Sequence, residues 1–355
     1  MRPSFLILVA VLAIGGYSAL RVQFRSVYEA CERPVIRPLP FKVEVTQTPE
    51  EREKQEINDL AKSLFSAKDF DKLDALARKH RESKEHYADG VWKLNEVYLG
   101  LELNKQASDQ QWKEHLAALQ DWVTAKPGSI TARVALADEL VTYAWKARGG
   151  GYAKTVTKEG WNLFGERLKQ ATDVLAEARS LKESCPRWWS VRLQTALGQG
   201  AHQTDYDRIF NEAITFHPSY TTYYTRKAHR LLPRWHGRQG EWEAFLTRAA
   251  DNLGGEDGDV LYARVVWSLH SYRIFSNIFD ENRISWERID KGFEVLAKRY
   301  PDSLAVKSER AYLAGLAGDL PKVRGYYDAL DGKIDLSVWD SRDSFVEHAQ
   351  IAYAK

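Results

Sequence analysis

The chain has 355 residues, 44% hydrophobic and 28% charged with 11 prolines, the proportions of a globular protein able to bury a core. Its net charge of +2 arises in residues 1–42, where Arg2, Arg21, Arg25, Arg33, Arg37 and Lys42 outnumber Glu29 and Glu32 by four. The other 45 basic and 47 acidic side chains make a near-neutral body, which excludes duplex nucleic acid as the main ligand, because phosphate binding needs concentrated Lys and Arg.

Phe5 to Leu20 reads FLILVAVLAIGGYSAL, sixteen residues without a charge between Arg2 and Arg21. A spanning helix needs about 20 apolar residues and the apolar part of a signal peptide about 7–15. Residues 1–25 are therefore predicted to be a signal-anchor helix or a signal peptide. The anchor is favoured, because the small-x-small pattern before a cleavage site is poor at Tyr17-Ser18-Ala19. The expectation is an inner membrane-anchored protein, touching the membrane through residues 5–24, with its body exported into a periplasmic or extracytoplasmic space; cleavage would make it secreted. Residues 26–49 hold Pro34, Pro38, Pro40 and Pro49 and predict an extended, proline-rich linker. Cys31 and Cys185 are the only cysteines, and both a disulfide and two independent thiols stay open.

Pro49 opens a helix in the manner of an N1 proline, with Glu50, Glu51 and Glu53 at its positive end. From there the pattern is helix, turn, helix, with no strand-like alternation of any length. The segment LAKSLFSAKDFDKLDALARKH turns at Lys68-Asp69-Phe70. Ile130, Val134, Ala137, Val141 and Ala144 form one apolar stripe, Phe164, Leu168, Ala171, Leu175 and Ala178 a second, and Tyr206, Phe210, Ala213 and His217 a shorter third. Each stripe needs a neighbour to cover it. In DYDRIFNEAITFHPSY the spacing of Phe210, Ala213 and Pro218 matches the second helix of a tetratricopeptide repeat. Pro127, Pro186 and Pro301 are expected to close similar helices, and AYLAGLAGDLPKVRGYYDAL repeats the rhythm near the C-terminus. The predicted fold is all-α: an irregular TPR-like α-solenoid of antiparallel helix pairs over residues 50–355, following the N-terminal apolar anchor.

Three interruptions break the period: WKARGGGYAKTVTKEGWNLF from Trp145, LLPRWHGRQGEW at 231–242 and NLGGEDGD at 252–259. Loops that break a repeat are frequent seats of function. The run from Ala132 to Trp242, with its phrases YAWKARGGGYA, EGWNLFGERL, CPRWW, ALGQG, PSYTTYY and LLPRWHGRQGEW, resembles a bacterial family catalogued as a domain of unknown function. The resemblance implies a tetratricopeptide-like helical domain and no activity. Ala201 stands after ALGQG where that pattern leads one to expect an aromatic residue.

An aromatic and cationic set surrounds these interruptions: Trp145, Arg148 and Tyr152; Trp188 and Trp189; Tyr220, Tyr223 and Tyr224; and Arg234, Trp235 and His236. In a stack of helix pairs they can converge on a concave wall that offers stacking faces and charged donors. The bland alternative is that the rings brace irregular junctions between helices. His202, His217, His229 and His236 lack metal-ligand spacing, so no metal is expected. No Gly-x-Ser-x-Gly elbow occurs, and GGGYAKT lacks the Gly-Lys-Ser/Thr of a phosphate loop, so neither an enzymatic activity nor a cofactor is expected. The expected function is a scaffold or adaptor at the bacterial cell envelope, binding a protein or peptide on the aromatic surface. The alternative is an accessory protein that binds a small anionic or glycan ligand in a pocket formed by the interruptions.

Overall fold

The computed structural model describes residues 38–181 and 184–353. The predicted anchor over 1–25, the membrane contact through 5–24 and Cys31 lie outside the described residues. Among the described residues no helix is long and apolar enough to cross a membrane. Those residues form an all-α protein of sixteen helices with one pair of two-residue strands. The described residues fall into two compact units, one within Pro49–Gly237 and the other made of residues 38–48 together with 238–353.

The Pro49–Gly237 unit contains α1 (Pro49–Ser66), α2 (Phe70–Ser83), α3 (Lys93–Leu99), α4 (Asp109–Ala125), α5 (Ile130–Arg148), α6 (Lys158–Arg179), α7 (Pro186–Gly198), α8 (Gln203–Phe216) and α9 (Thr221–Arg230). Local chemistry fixes the starts. Ser108 and Gln111 form a reciprocal capping box on α4, while Ser129 and Thr157 cap α5 and α6 through their side-chain oxygens. Pro186 differs from expectation: α6 already ends at Arg179, and Pro186 opens α7, where its missing N–H costs nothing.

Residue pairs give the helix directions. Arg133 faces Glu177, Tyr143 faces Arg167 and Ala147 faces Gly160, so α5 and α6 run antiparallel. Tyr206 with Arg226, and Phe210 with Tyr224, set α8 against α9 in the same way. Helices also touch their next-but-one neighbours, α1 on α3, α5 on α7 and α7 on α9. The apolar stripes sit inside: Phe164, Leu168, Ala171, Leu175 and Ala178 are all buried.

The second unit contains α10 (Glu241–Leu253), α11 (Gly255–Ser271), α12 (Ile278–Glu281), α13 (Trp286–Arg299), α14 (Leu304–Ala317), α15 (Leu320–Leu330) and α16 (Arg342–Tyr353). Close approach of α11 and α13 depends on Gly292, where a Cβ would lie 2.3 Å from the Asp259 carbonyl oxygen. Asp290 gathers Arg310, Lys322 and Tyr326, tying α13 to α14 and α15. The predicted linker over 26–49 is extended where it is described, and it is also docked. Its β1 (Glu44–Val45) pairs in parallel with β2 (Lys333–Ile334), and the Phe41 ring packs on Phe345 and Tyr353. The short strand at 333–334 departs from the purely helical expectation after residue 50.

Candidate functional site

Two of the three sequence interruptions meet in the Pro49–Gly237 unit. The first begins where α5 ends. Gly149 adopts φ +73°, a left-handed value that favours glycine, while its N–H still donates to the Trp145 carbonyl at 2.9 Å. Arg148 Nη1 donates to the carbonyls of Gly149 at 3.0 Å and Gly151 at 2.7 Å, so the turn holds the guanidinium in place. Tyr152 then stands 74% exposed. The chain returns as α6, where a Cβ on Gly160 would come within 2.8 Å of the Ala147 carbonyl oxygen. Trp161 follows at 40% exposure, edge-on to Phe164.

The second interruption follows α9. The Trp235 N–H donates to the Leu232 carbonyl, His236 N–H to Arg230, and Gly237 N–H back to Leu232, which winds residues 231–237 into a tight knot. That knot places the Trp235 ring perpendicular to Trp145, with centroids 5.5 Å apart. Trp145 in turn meets Phe164 edge-on at 4.9 Å. The Arg148 guanidinium lies 5.7 Å from the Trp145 ring, 5.8 Å from Trp161 and 5.6 Å from Trp235, within cation–π range of all three.

The local electrostatics are one-sided. Burial and the neighbouring Arg234 both push the Arg148 pKa down from its usual value. Trp235 Nε1–H donates to His229 Nε2 at 2.9 Å, which requires that nitrogen to be unprotonated. Burial, with Arg226 and Arg234 nearby, pushes His229 down to about 4, so it is neutral and adds no charge. His236 is exposed at the rim, its pKa lowered by burial of part of the ring and by Arg230, against a hydrogen bond to the Leu197 backbone. Among the described residues, Arg148, Arg226 and Arg234 make no ion pair.

The remaining predicted residues lie elsewhere in the same unit. Trp188 is buried and donates Nε1–H to the Leu175 carbonyl at 2.9 Å. Trp189 meets it edge-on, Arg179 lies over both rings, and Trp189 lines an open groove along α8 with Phe216, Arg208 and Asn211. Tyr220, Tyr223 and Tyr224 are all buried, and their hydroxyls donate to Asn95 Oδ1, the Pro186 carbonyl and the Pro218 carbonyl. Burial raises the pKa of each, Tyr220 to about 12. These rings brace α9 against α3 and α7.

Two residues of the meeting point escaped the sequence reasoning, Trp161 and Arg226, and His229 was weighed only as a metal ligand. Trp161 had a signal, since it sits inside the first interruption three positions before Phe164 on the same helix face. Arg226 had none, and His229 none toward this face, because nothing in α9 marks which neighbour its polar face meets. A separate buried cluster was legible only in part. Arg187 spans Asp138 at 2.6 and 2.8 Å and Glu102 at 3.5 Å, beneath which the Tyr98 hydroxyl lies 3.3 Å from Cys185 Sγ. Among the described residues no three His, Cys, Asp or Glu side chains gather to hold a metal ion. Comparison of the chain with family models, with curated proteins and with solved structures found no match.

Proposed function

We propose that the protein is a helical interaction module, a TPR-like α-solenoid held at the cell envelope, which binds a segment of another protein on the face formed by Arg148, Tyr152, Trp161 and Trp235. The convergence of the two interruptions carries this reading. The facing ends of α5 and α6 supply Trp145 and Trp161, the 231–237 knot supplies Trp235, the three indoles surround one arginine, and the aromatic edge of the set faces solvent. Rings that merely braced a junction would be covered, as Tyr220 and Tyr223 are. Support for the stacked arrangement comes from antiparallel consecutive helices that also touch next-but-one neighbours, the pattern of stacked helix pairs. The uncharged run Phe5–Leu20 supports placement at a membrane. Exposure of Tyr152 and Trp161 favours an extended segment over an enclosed small ligand.

Site-specific photo-crosslinking tests this in cells producing the full chain. A photoreactive phenylalanine analogue at position 152 is expected to give a discrete high-mass adduct that Trp161→Ala weakens. The same probe at Tyr272, exposed in the other unit, should give none. Adducts of equal yield at both positions, or at neither, would sink the reading.

A further inference from the structure

The face that the two interruptions build is short of negative charge in a way its own chemistry does not resolve. Arg148 spends Nη1 on two carbonyl oxygens, and its Nε and Nη2 have no partner among the described residues. Buried Arg226 Nε has no hydrogen-bond partner either, and Arg234 is exposed beside Trp235. Several other cations of this unit do have a carboxylate partner, Lys146 in Asp109, Arg187 in Asp138 and Lys227 in Asp207, while Arg192 Nη1 is buried without a hydrogen-bond partner. Arg148 and Arg234 are close enough to repel each other, and an incoming anion relieves that repulsion. His229 cannot supply further positive charge, because its Nε2 accepts the Trp235 proton.

Resting on the interaction reading above, we propose that this face recognises an acidic protein segment. One carboxylate takes the paired Nε–Nη2 edge of Arg148, a fork that matches two carboxylate oxygens. A second carboxylate takes Arg234. Trp161 and Tyr152 pack against the chain between them, which a free anion could not exploit. Cations contributed from two separate loops fit charges spaced along a peptide, and a near-neutral body elsewhere does not extend the patch into a track for nucleic acid.

The test titrates the full chain with a blocked peptide of alternating glutamate and glycine, and with its glutamine counterpart, following the indole N–H signals of Trp161 and Trp235. The glutamate peptide is expected to shift both signals, more strongly at low salt, and the glutamine peptide to shift neither. Arg148→Gln and Arg234→Gln should each weaken the glutamate peptide by roughly tenfold or more, with circular dichroism unchanged. Equal binding of both peptides, or full binding by the arginine variants, overturns the acidic partner while leaving the interaction face standing. Free glutarate binding as tightly as the peptide also overturns it, in favour of a small-anion site. If no peptide shifts the indoles but the position-152 adduct still forms, only the acidic inference fails; loss of both removes the interaction reading as well.

Discussion

Replacing Arg187 with alanine is expected to lower the unfolding free energy by about 3–5 kcal/mol, the cost of leaving a buried carboxylate without its partner. Asp138 is 8% exposed and takes both its short contacts from Arg187. Burial works against the guanidinium charge, yet Asp138, Tyr220 and Glu102 together hold its pKa above the usual arginine value. The arginine thus joins α5 to α7 and to the loop after α3. Urea unfolding followed by tryptophan fluorescence measures the loss. Arg187→Met combined with Asp138→Leu should cost less than Arg187→Ala alone, since no orphaned charge then remains. A single substitution costing under about 1 kcal/mol would place the pair in the weak class of solvent-screened ion pairs.

The second large effect is expected at Gly237, where stability and site geometry are joined. A Cβ there would lie 1.8 Å from the Leu231 carbonyl oxygen and 2.6 Å from Leu231 Cα, both backbone atoms that no rotamer change can move aside. Gly237→Ala must open the 231–237 knot, at about 3 kcal/mol, the upper range for overpacking. Because the same knot seats Trp235, the indole should leave Trp145 and the position-152 adduct should fade. Gly128→Ala serves as the control: nothing lies within 4 Å of the place its methyl group would take, so its effect should stay within about 0.5 kcal/mol. Equal stability of the two variants would contradict the tight approach.

Helices were legible because burial leaves a period in the sequence. Ile130, Val134, Ala137, Val141 and Ala144 were one stripe, and all five are buried. What the stripe concealed is how much of α5 is covered. Thr131, Asp138 and Glu139 are buried too, because α2, α4, α6 and α7 all touch this helix. Periodicity reports that a face is apolar and says little about polar residues satisfied by specific partners. Arg187 shows the same limit: its partner Asp138 lies 49 positions earlier, and no local pattern connects them.

At the site, Gly149–Gly151 and the Pro233–Gly237 stretch were recognisable as breaks in helix composition, and their meeting was not. It depends on the path of the four helices between them. Tyr220, Tyr223 and Tyr224 stand at the spacing of a helix face, which fits a binding wall and a packed seam equally well. Their hydroxyls found acceptors inside the unit, a fact of geometry alone. Conversely, Trp161 was not singled out in the sequence and is the exposed edge of the indole set.

The claim on which the rest depends is that the two interruptions touch through Trp145 and Trp235. Nuclear Overhauser contacts between indole protons, in protein labelled only at tryptophan, address it directly. Cross-peaks joining Trp145 to Trp235 are expected, with Trp188 to Trp189, at 4.7 Å between centroids, as the internal standard. A spectrum that shows the standard and lacks the Trp145–Trp235 contact would contradict the account.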